Sequence, residues 1–218
     1  MHPEPTLAIS ELFYSLQGES SYAGYPCVFV RLAGCNLRCT FCDASYTYEQ
    51  EGSRMGLEQI LDHVRAHPGA IVGITGGEPL LQDNVYSLLK ALLALNRTVL
   101  LETNGSIGVS KVPGQVVKIL DLKCPDSGMH EQMDFKNMHF LSPHDEVKFV
   151  LSSRADYDWA VDTISKYRLD RAARLLFSPV TDRLPAAQLA DWLLADELPV
   201  RLQLQLHKLL WPTRERGC

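Results

Sequence analysis

Short apolar, β-branched runs alternate along this chain with longer runs of helical spacing, and that alternation is the strongest constraint on its fold. Residues 27–32 (CVFVRL), 70–75 (AIVGIT), 98–103 (TVLLET), 116–122, 147–151 and 175–178 read as buried strands. Between them, residues 57–66 carry apolar side chains at 57, 60, 61 and 64, and residues 84–95, 155–167 and 186–195 show the same helical period. The stretch 201–206 (RLQLQL) alternates apolar with polar, as a last strand wet on one face would. Strands and helices of these lengths imply parallel strands joined by right-handed helical crossovers. The expected fold is therefore α/β: an incomplete (β/α) TIM-like barrel with about six parallel core strands, a single domain over residues 1–218, with a doubly wound sheet as the alternative.

Such folds bind ligands where the strands end. Distinctive residues fall there repeatedly: Gly34-Cys35, Gly76-Gly77-Glu78, Glu102 to Gly105, and Asp121 to Lys123. A net charge of −5 argues against a protein that coats nucleic acid or an anionic membrane. No apolar run approaches the ~18 residues of a membrane span. Residues 1–5 (MHPEP) lack the basic and apolar regions of an export leader, so the expected location is cytoplasmic.

Three of the six cysteines, Cys35, Cys39 and Cys42, share one short loop. Thiolates suit iron–sulfur clusters, zinc or Cu(I). A structural zinc site wants four ligands, commonly as two pairs, and no second CxxC exists. Three close thiolates fit a [4Fe–4S] cluster with one iron left open for a ligand; incidental thiols, or zinc completed by a distant His, are the blander readings. His63 and His67 lie one helical turn apart and read as solvated. Cys27 reads as core, Cys124 as an inert thiol beside Lys123, and Cys218 as an exposed terminal one.

CxxxCxxC after a strand, with Phe41 before the third cysteine, resembles the radical S-adenosylmethionine (SAM) enzymes. Thr75-Gly76-Gly77-Glu78-Pro79 resembles their strand-end motif for the SAM amino group. The resemblance implies that the open iron binds SAM and that one electron cleaves it to methionine and a hydrogen-abstracting 5′-deoxyadenosyl radical. It further implies SAM contacts at Gly76, Gly77, Glu78, Asn104, Asp121, Leu122, Lys123, Ser178, Pro179, Val180 and Thr181.

The run 11–19 (ELFYSLQGE), continued through the cysteine loop, TGGEP, Glu102-Thr103-Asn104-Gly105 and His207-Lys208 to Pro212, is similar to one short radical SAM family, the 7-carboxy-7-deazaguanine synthases. That similarity implies contraction of 6-carboxy-5,6,7,8-tetrahydropterin to 7-carboxy-7-deazaguanine with loss of ammonia, in the queuosine pathway, SAM being regenerated. Substrate contacts would be Leu16, Gln17, Gly18, Glu19, Arg31, Thr75 and Pro212. A guanidinium such as Arg31 can grip a carboxylate with two hydrogen bonds.

The family's magnesium is held by a Thr or Ser two residues after the third cysteine. Here that residue is Ala44, so either Ser45 or Asp43 substitutes, or water and substrate complete the shell, or the metal is dispensable; magnesium stays among the expected cofactors with its protein ligand open. An external one-electron reductant and a homodimer are also implied, with no nucleic-acid or membrane partner. The competing readings are an activase that installs a glycyl radical on a protein, and a non-enzymatic iron–sulfur carrier or zinc adaptor.

Overall fold

The computed structural model describes residues 5–214 and 216–218; the leader reading of residues 1–4 lies outside them. Nine strands form one sheet: β1 (Thr6–Leu16), β2 (Pro26–Leu32), β3 (Ser53–Gly56), β4 (Ile71–Gly76), β5 (Val99–Thr103), β6 (Val117–Lys123), β7 (Glu146–Leu151), β8 (Arg174–Pro179) and β9 (Arg201–Leu202), in the order β3-β1-β2-β4-β5-β6-β7-β8-β9. From β2 onward every neighbouring pair is parallel. β1 lies antiparallel between β2 and β3. Among the described residues the edge strands β3 and β9 are not paired with each other, so the sheet is an open partial barrel, as the alternation predicted.

The helices are α1 (Tyr46–Glu49), α2 (Leu57–Arg65), α3 (Val85–Ala94), α4 (Arg154–Tyr167), α5 (Ala186–Ala195) and α6 (Leu206–Leu210). α2 forms because Ile60, Leu61 and Val64 make one buried stripe, and the Gln59 carboxamide accepts the Gly56 N–H at 2.9 Å where the helix starts. α4 starts at Ser153, whose hydroxyl accepts from Asp156 N–H, and ends at Arg168 in the left-handed region.

Three elements differ from expectation. β1 was not foreseen: its register shifts between Ile9 and Glu11, so the inward-outward alternation slips partway along the strand and hides its period. β3 is a short partner of β1 with no apolar core of its own. The run 201–206 is a strand only at Arg201–Leu202; Gln203 turns inward and the chain then coils into α6. No α-helix separates β5 from β6 or β6 from β7; those links are loops and 3-10 turns.

Strand period two sorts the sheet into two faces. Val72, Ile74, Leu101, Leu120, Leu122, Val147, Phe149 and Leu151 pack in the main core with the helices. The opposite face carries Leu100, Val117 and Ile119, covered by Tyr22 from the β1–β2 loop and by Ile71. The loop is pinned there: Ser20 N–H donates to Gln203 Oε1 at 2.5 Å and Ser21 N–H to the buried Glu146 carboxylate at 3.0 Å. The hairpin loop thus closes the hollow that a complete barrel would fill with side chains.

Candidate active site

The concave face becomes polar toward the strand ends. In the same alternation, Arg31, Thr75, Glu102, Asp121, Lys123 and Lys148 follow the apolar residues that Tyr22 covers. Leu122, between Asp121 and Lys123, points its side chain into the main core, so only its backbone could serve a ligand.

The thiols sit on the loop leaving β2. Arg38 donates to the carbonyls of Cys35 at 2.9 Å and Leu37 at 2.7 Å, curling the loop, and its guanidinium stacks 4.0 Å above the Tyr48 ring. Thr40 ties the far side to the turn after β6, its N–H donating to Ser127 O at 3.1 Å and its hydroxyl to Asp126 O at 2.7 Å. Cys35, Cys39 and Cys42 are unbonded to one another. Burial pushes the Cys39 thiol up, against the pull of Lys123. Among the described residues, no three His, Cys, Asp or Glu side chains gather tightly enough for a single ion. A cubane cluster asks for less convergence, because each thiolate takes a separate iron.

Beside this loop the backbone of β4 ends without room for side chains. A Cβ on Gly76 would strike the Leu32 carbonyl, and one on Gly77 would lie 2.6 Å from Cys35 Cβ and closer still to Gly34 O. Gly76 also adopts φ +151°, which favours glycine. Glu78 follows, fully buried, accepting Leu80 N–H at 3.0 Å, Asn104 N–H at 2.7 Å and the Thr103 hydroxyl at 2.9 Å. Burial raises its carboxyl despite these donors. Asn104 reaches back to Asn36 at 3.2 Å and lies 3.9 Å from Cys35 Sγ. These glycines and Glu78 fit a cradle for a small polar ligand at the cluster loop.

On the other side, Gln17 is buried and donates to Glu102 Oε1 at 3.2 Å, while the Thr75 hydroxyl donates to Glu102 Oε2 at 2.9 Å. Leu16 closes β1, and Gly18 lies under the His207 ring with its carbonyl accepting Leu206 N–H at 2.9 Å. Glu19 accepts from Lys148 at 2.6 Å and from Gln205 at 2.7 Å. Burial, the largest influence, opposes its ionisation, but Lys148 and Gln205 together outweigh it and lower the pKa. Asp121 is likewise held below the ordinary carboxylate range: Lys123 at 3.0 Å and Lys148 at 3.2 Å overcome its burial.

Arg31 pairs with Glu11 directly across the β1–β2 ladder at 2.8 Å. Glu11 also accepts from the Tyr46 hydroxyl at 2.7 Å. Ser178 and Pro179 are buried at the end of β8, where Val180 N–H donates to Leu151 O at 2.8 Å, and Thr181 is exposed. Pro212 lies exposed on the turn after α6, apart from the buried network. Asp43 points at Lys208, 3.1 Å away, and is within 3.4 Å of Gln205.

Five residues without an expected role join the site: Glu102, Lys148, Gln203, Gln205 and His207. The signal for Lys148 was present, since a lysine inside an otherwise apolar parallel strand must face the barrel interior or a partner. The glutamines come from a segment expected to be strand, and His207 directly follows it.

The Radical SAM superfamily model matches residues 30–169. A protein from Chlorobaculum tepidum named 7-carboxy-7-deazaguanine synthase is 44% identical over all of both chains. One of the same name from Koribacter versatilis is 42% identical over 97% of this chain and 100% of its own length. The crystal structure of QueE from Escherichia coli superposes with a TM-score of 0.78 at 22% identity, covering 93% of this chain and 95% of that one, which shows the shared fold. This chain belongs to the radical SAM superfamily and, within it, to the 7-carboxy-7-deazaguanine synthases.

Proposed function

We propose that this chain contracts 6-carboxy-5,6,7,8-tetrahydropterin to 7-carboxy-7-deazaguanine and ammonia in 7-deazapurine (queuosine) biosynthesis. Substrate equals product plus ammonia, so no net oxidant is consumed. The observation that carries the reading is the full-length identity to synthases of that name. It does not favour the glycyl-radical activase, the carrier or the zinc adaptor.

A [4Fe–4S] cluster and SAM supply the electron and the hydrogen-abstracting radical when bound. Cys35, Cys39 and Cys42 would hold the cluster. Gly76, Gly77 and Glu78 would receive the SAM amino group, with Glu78 as its acceptor, and Asn104, Asp121 to Lys123 and Ser178 to Thr181 would line the remainder. Gln17 and Thr75, both tied to Glu102, would orient the pterin edge, with Leu16, Gly18 and Glu19 beside them. Arg31, already steadied by Glu11, would meet the substrate carboxylate. Pro212 would join only if α6 and its turn close further.

Magnesium is the part these residues fit least. Ala44 offers a methyl group and Asp43 Oδ2 is engaged by Lys208 and Gln205, which leaves Asp43 Oδ1 and the Ser45 hydroxyl as the hard oxygens among these three residues. No step is routed through the ion. The reading also includes a cytoplasmic homodimer served by an external one-electron reductant, without nucleic-acid or membrane partners. The net charge of −5 supports the absence of nucleic-acid and anionic-membrane partners, and no helix among the described residues is long and apolar enough to cross a membrane.

The test is anaerobic reconstitution with SAM, reductant and the carboxypterin. Formation of the deazapurine and ammonia supports the reading; SAM cleavage without it sinks the assignment.

A further inference from the structure

Lys148 stands in the middle of β7, a strand otherwise built of Glu146, Val147, Phe149, Val150 and Leu151. It is 8% exposed, and a buried ammonium is costly unless paired and hydrogen-bonded. Its Nζ lies 2.6 Å from Glu19 Oε2 and 3.2 Å from Asp121 Oδ2. These carboxylates belong to opposite halves of the site: Glu19 to the β1–β2 loop beside Gln17 and Gly18, Asp121 to the end of β6 beside the thiol loop.

Each carboxylate is further fixed from its own side. Glu19 takes Gln205 Nε2 at 2.7 Å and Gln203 Nε2 at 3.3 Å. Asp121 Oδ2 also takes Lys123 Nζ at 3.0 Å. Two lysines therefore draw on one Asp121 oxygen, and the other, Oδ1, is buried without a partner. That buried oxygen is an acceptor open to a donor.

We propose that Lys148 is a positioning residue that locks the substrate loop to the SAM side of the site through Glu19 and Asp121, so that SAM cleavage stays coupled to hydrogen abstraction from the pterin. The inference rests on the proposed function and deepens it. The distance between hydrogen donor and radical carbon is unforgiving, and a misplacement of about 1 Å can cost on the order of a hundredfold in rate. Without the ammonium, Asp121 keeps only Lys123, Glu19 becomes a buried anion held by Gln203 and Gln205 alone, and the loop bearing Gln17 and Gly18 loses its charged link to Asp121, keeping only the Ser21–Glu146 contact to β7.

The experiment compares wild type, Lys148→Met and Lys148→Arg as cluster-loaded enzymes. It measures 7-carboxy-7-deazaguanine formed per 5′-deoxyadenosine released, KM for pterin and for SAM, iron content and the melting transition. K148M is expected to keep its cluster while its product-to-deoxyadenosine ratio falls about tenfold or more and its pterin KM rises. K148R retains the charge and is expected to recover part of the ratio. A merely structural role would lower yield or melting temperature and leave ratio and KM alone.

K148M with wild-type ratio and KM overturns the proposal, as does K148R failing as completely as K148M. Should K148M lose its fold, the ratio is read in Glu19→Leu, which removes the acceptor of the same link while Asp121 still balances Lys148; a wild-type ratio there overturns it too. A wild-type enzyme that makes no deazapurine removes the functional reading itself, whereas a competent wild type matched by K148M removes only this inference.

Discussion

Asn104 donates its backbone N–H to the buried Glu78 carboxylate at 2.7 Å, joining the ends of β4 and β5 next to the thiol loop. The same carboxylate holds Leu80 N–H and the Thr103 hydroxyl. Glu78→Gln replaces one oxygen by an NH2 group that must face a donor, which costs about 1–3 kcal/mol. Urea denaturation of the purified protein should show a loss of that size, and SAM affinity should fall with it.

Gly77→Ala would press a methyl group into the Gly34 carbonyl and Cys35. Overpacking of this kind costs about 1–3 kcal/mol when the neighbour cannot yield. The neighbour here is the cysteine loop, so the expected result is a folded protein with reduced iron content after reconstitution, read by iron assay and visible absorbance.

Arg31→Lys keeps the charge but loses the planar fork. Forfeiting one charge-assisted hydrogen bond, about 1.5–3 kcal/mol, corresponds to about a tenfold or larger rise in pterin KM. SAM binding should hardly move, because the Arg31 guanidinium pairs with Glu11 on the β1 side of β2, whereas Gly76 to Glu78 leave β4 on its other side. Isothermal titration with each ligand separates the two.

Removal of divalent cations should affect this chain little, given the methyl group of Ala44. Turnover in EDTA is expected to stay within about twofold of turnover in magnesium. Ala44→Thr, by restoring a hydroxyl, should create a magnesium response measurable as tighter pterin binding. A strong EDTA effect on the unaltered chain would assign the ion to Ser45 or Asp43 instead.

Acid should unlock the site before it unfolds the helices. Glu19 and Asp121 have folded-state pKa values below their unfolded ones, so their stabilisation is complete above the unfolded values. It drains away as pH falls from there through the folded values. Stability measured from neutral pH downward should decline through the acid range, and less steeply in Glu19→Gln.

The six core strands, four of the helices and the cysteine loop were legible in sequence because their apolar periods are uninterrupted and their strand ends carry unusual chemistry. β1 was legible only as a motif, since the register shift after Ile9 breaks its alternation. The run 201–206 alternates well enough to mimic a strand, yet Gln203 is spent on Ser20 and Glu19, and no local pattern announces a bond across more than 180 residues. Arg31 shows a different limit: its strand position was read correctly, but its partner Glu11 lay in the strand that the shift concealed.

Tyr22 seats the β1–β2 loop against Leu100, Val117 and Ile119. The segment proposed to meet the substrate is thereby also a structural stopper, answerable to the sheet floor beneath it. Exchanging it wholesale for a hairpin of different specificity would unplug the protein, so a redesign for new substrates must treat tip and floor as one inseparable part.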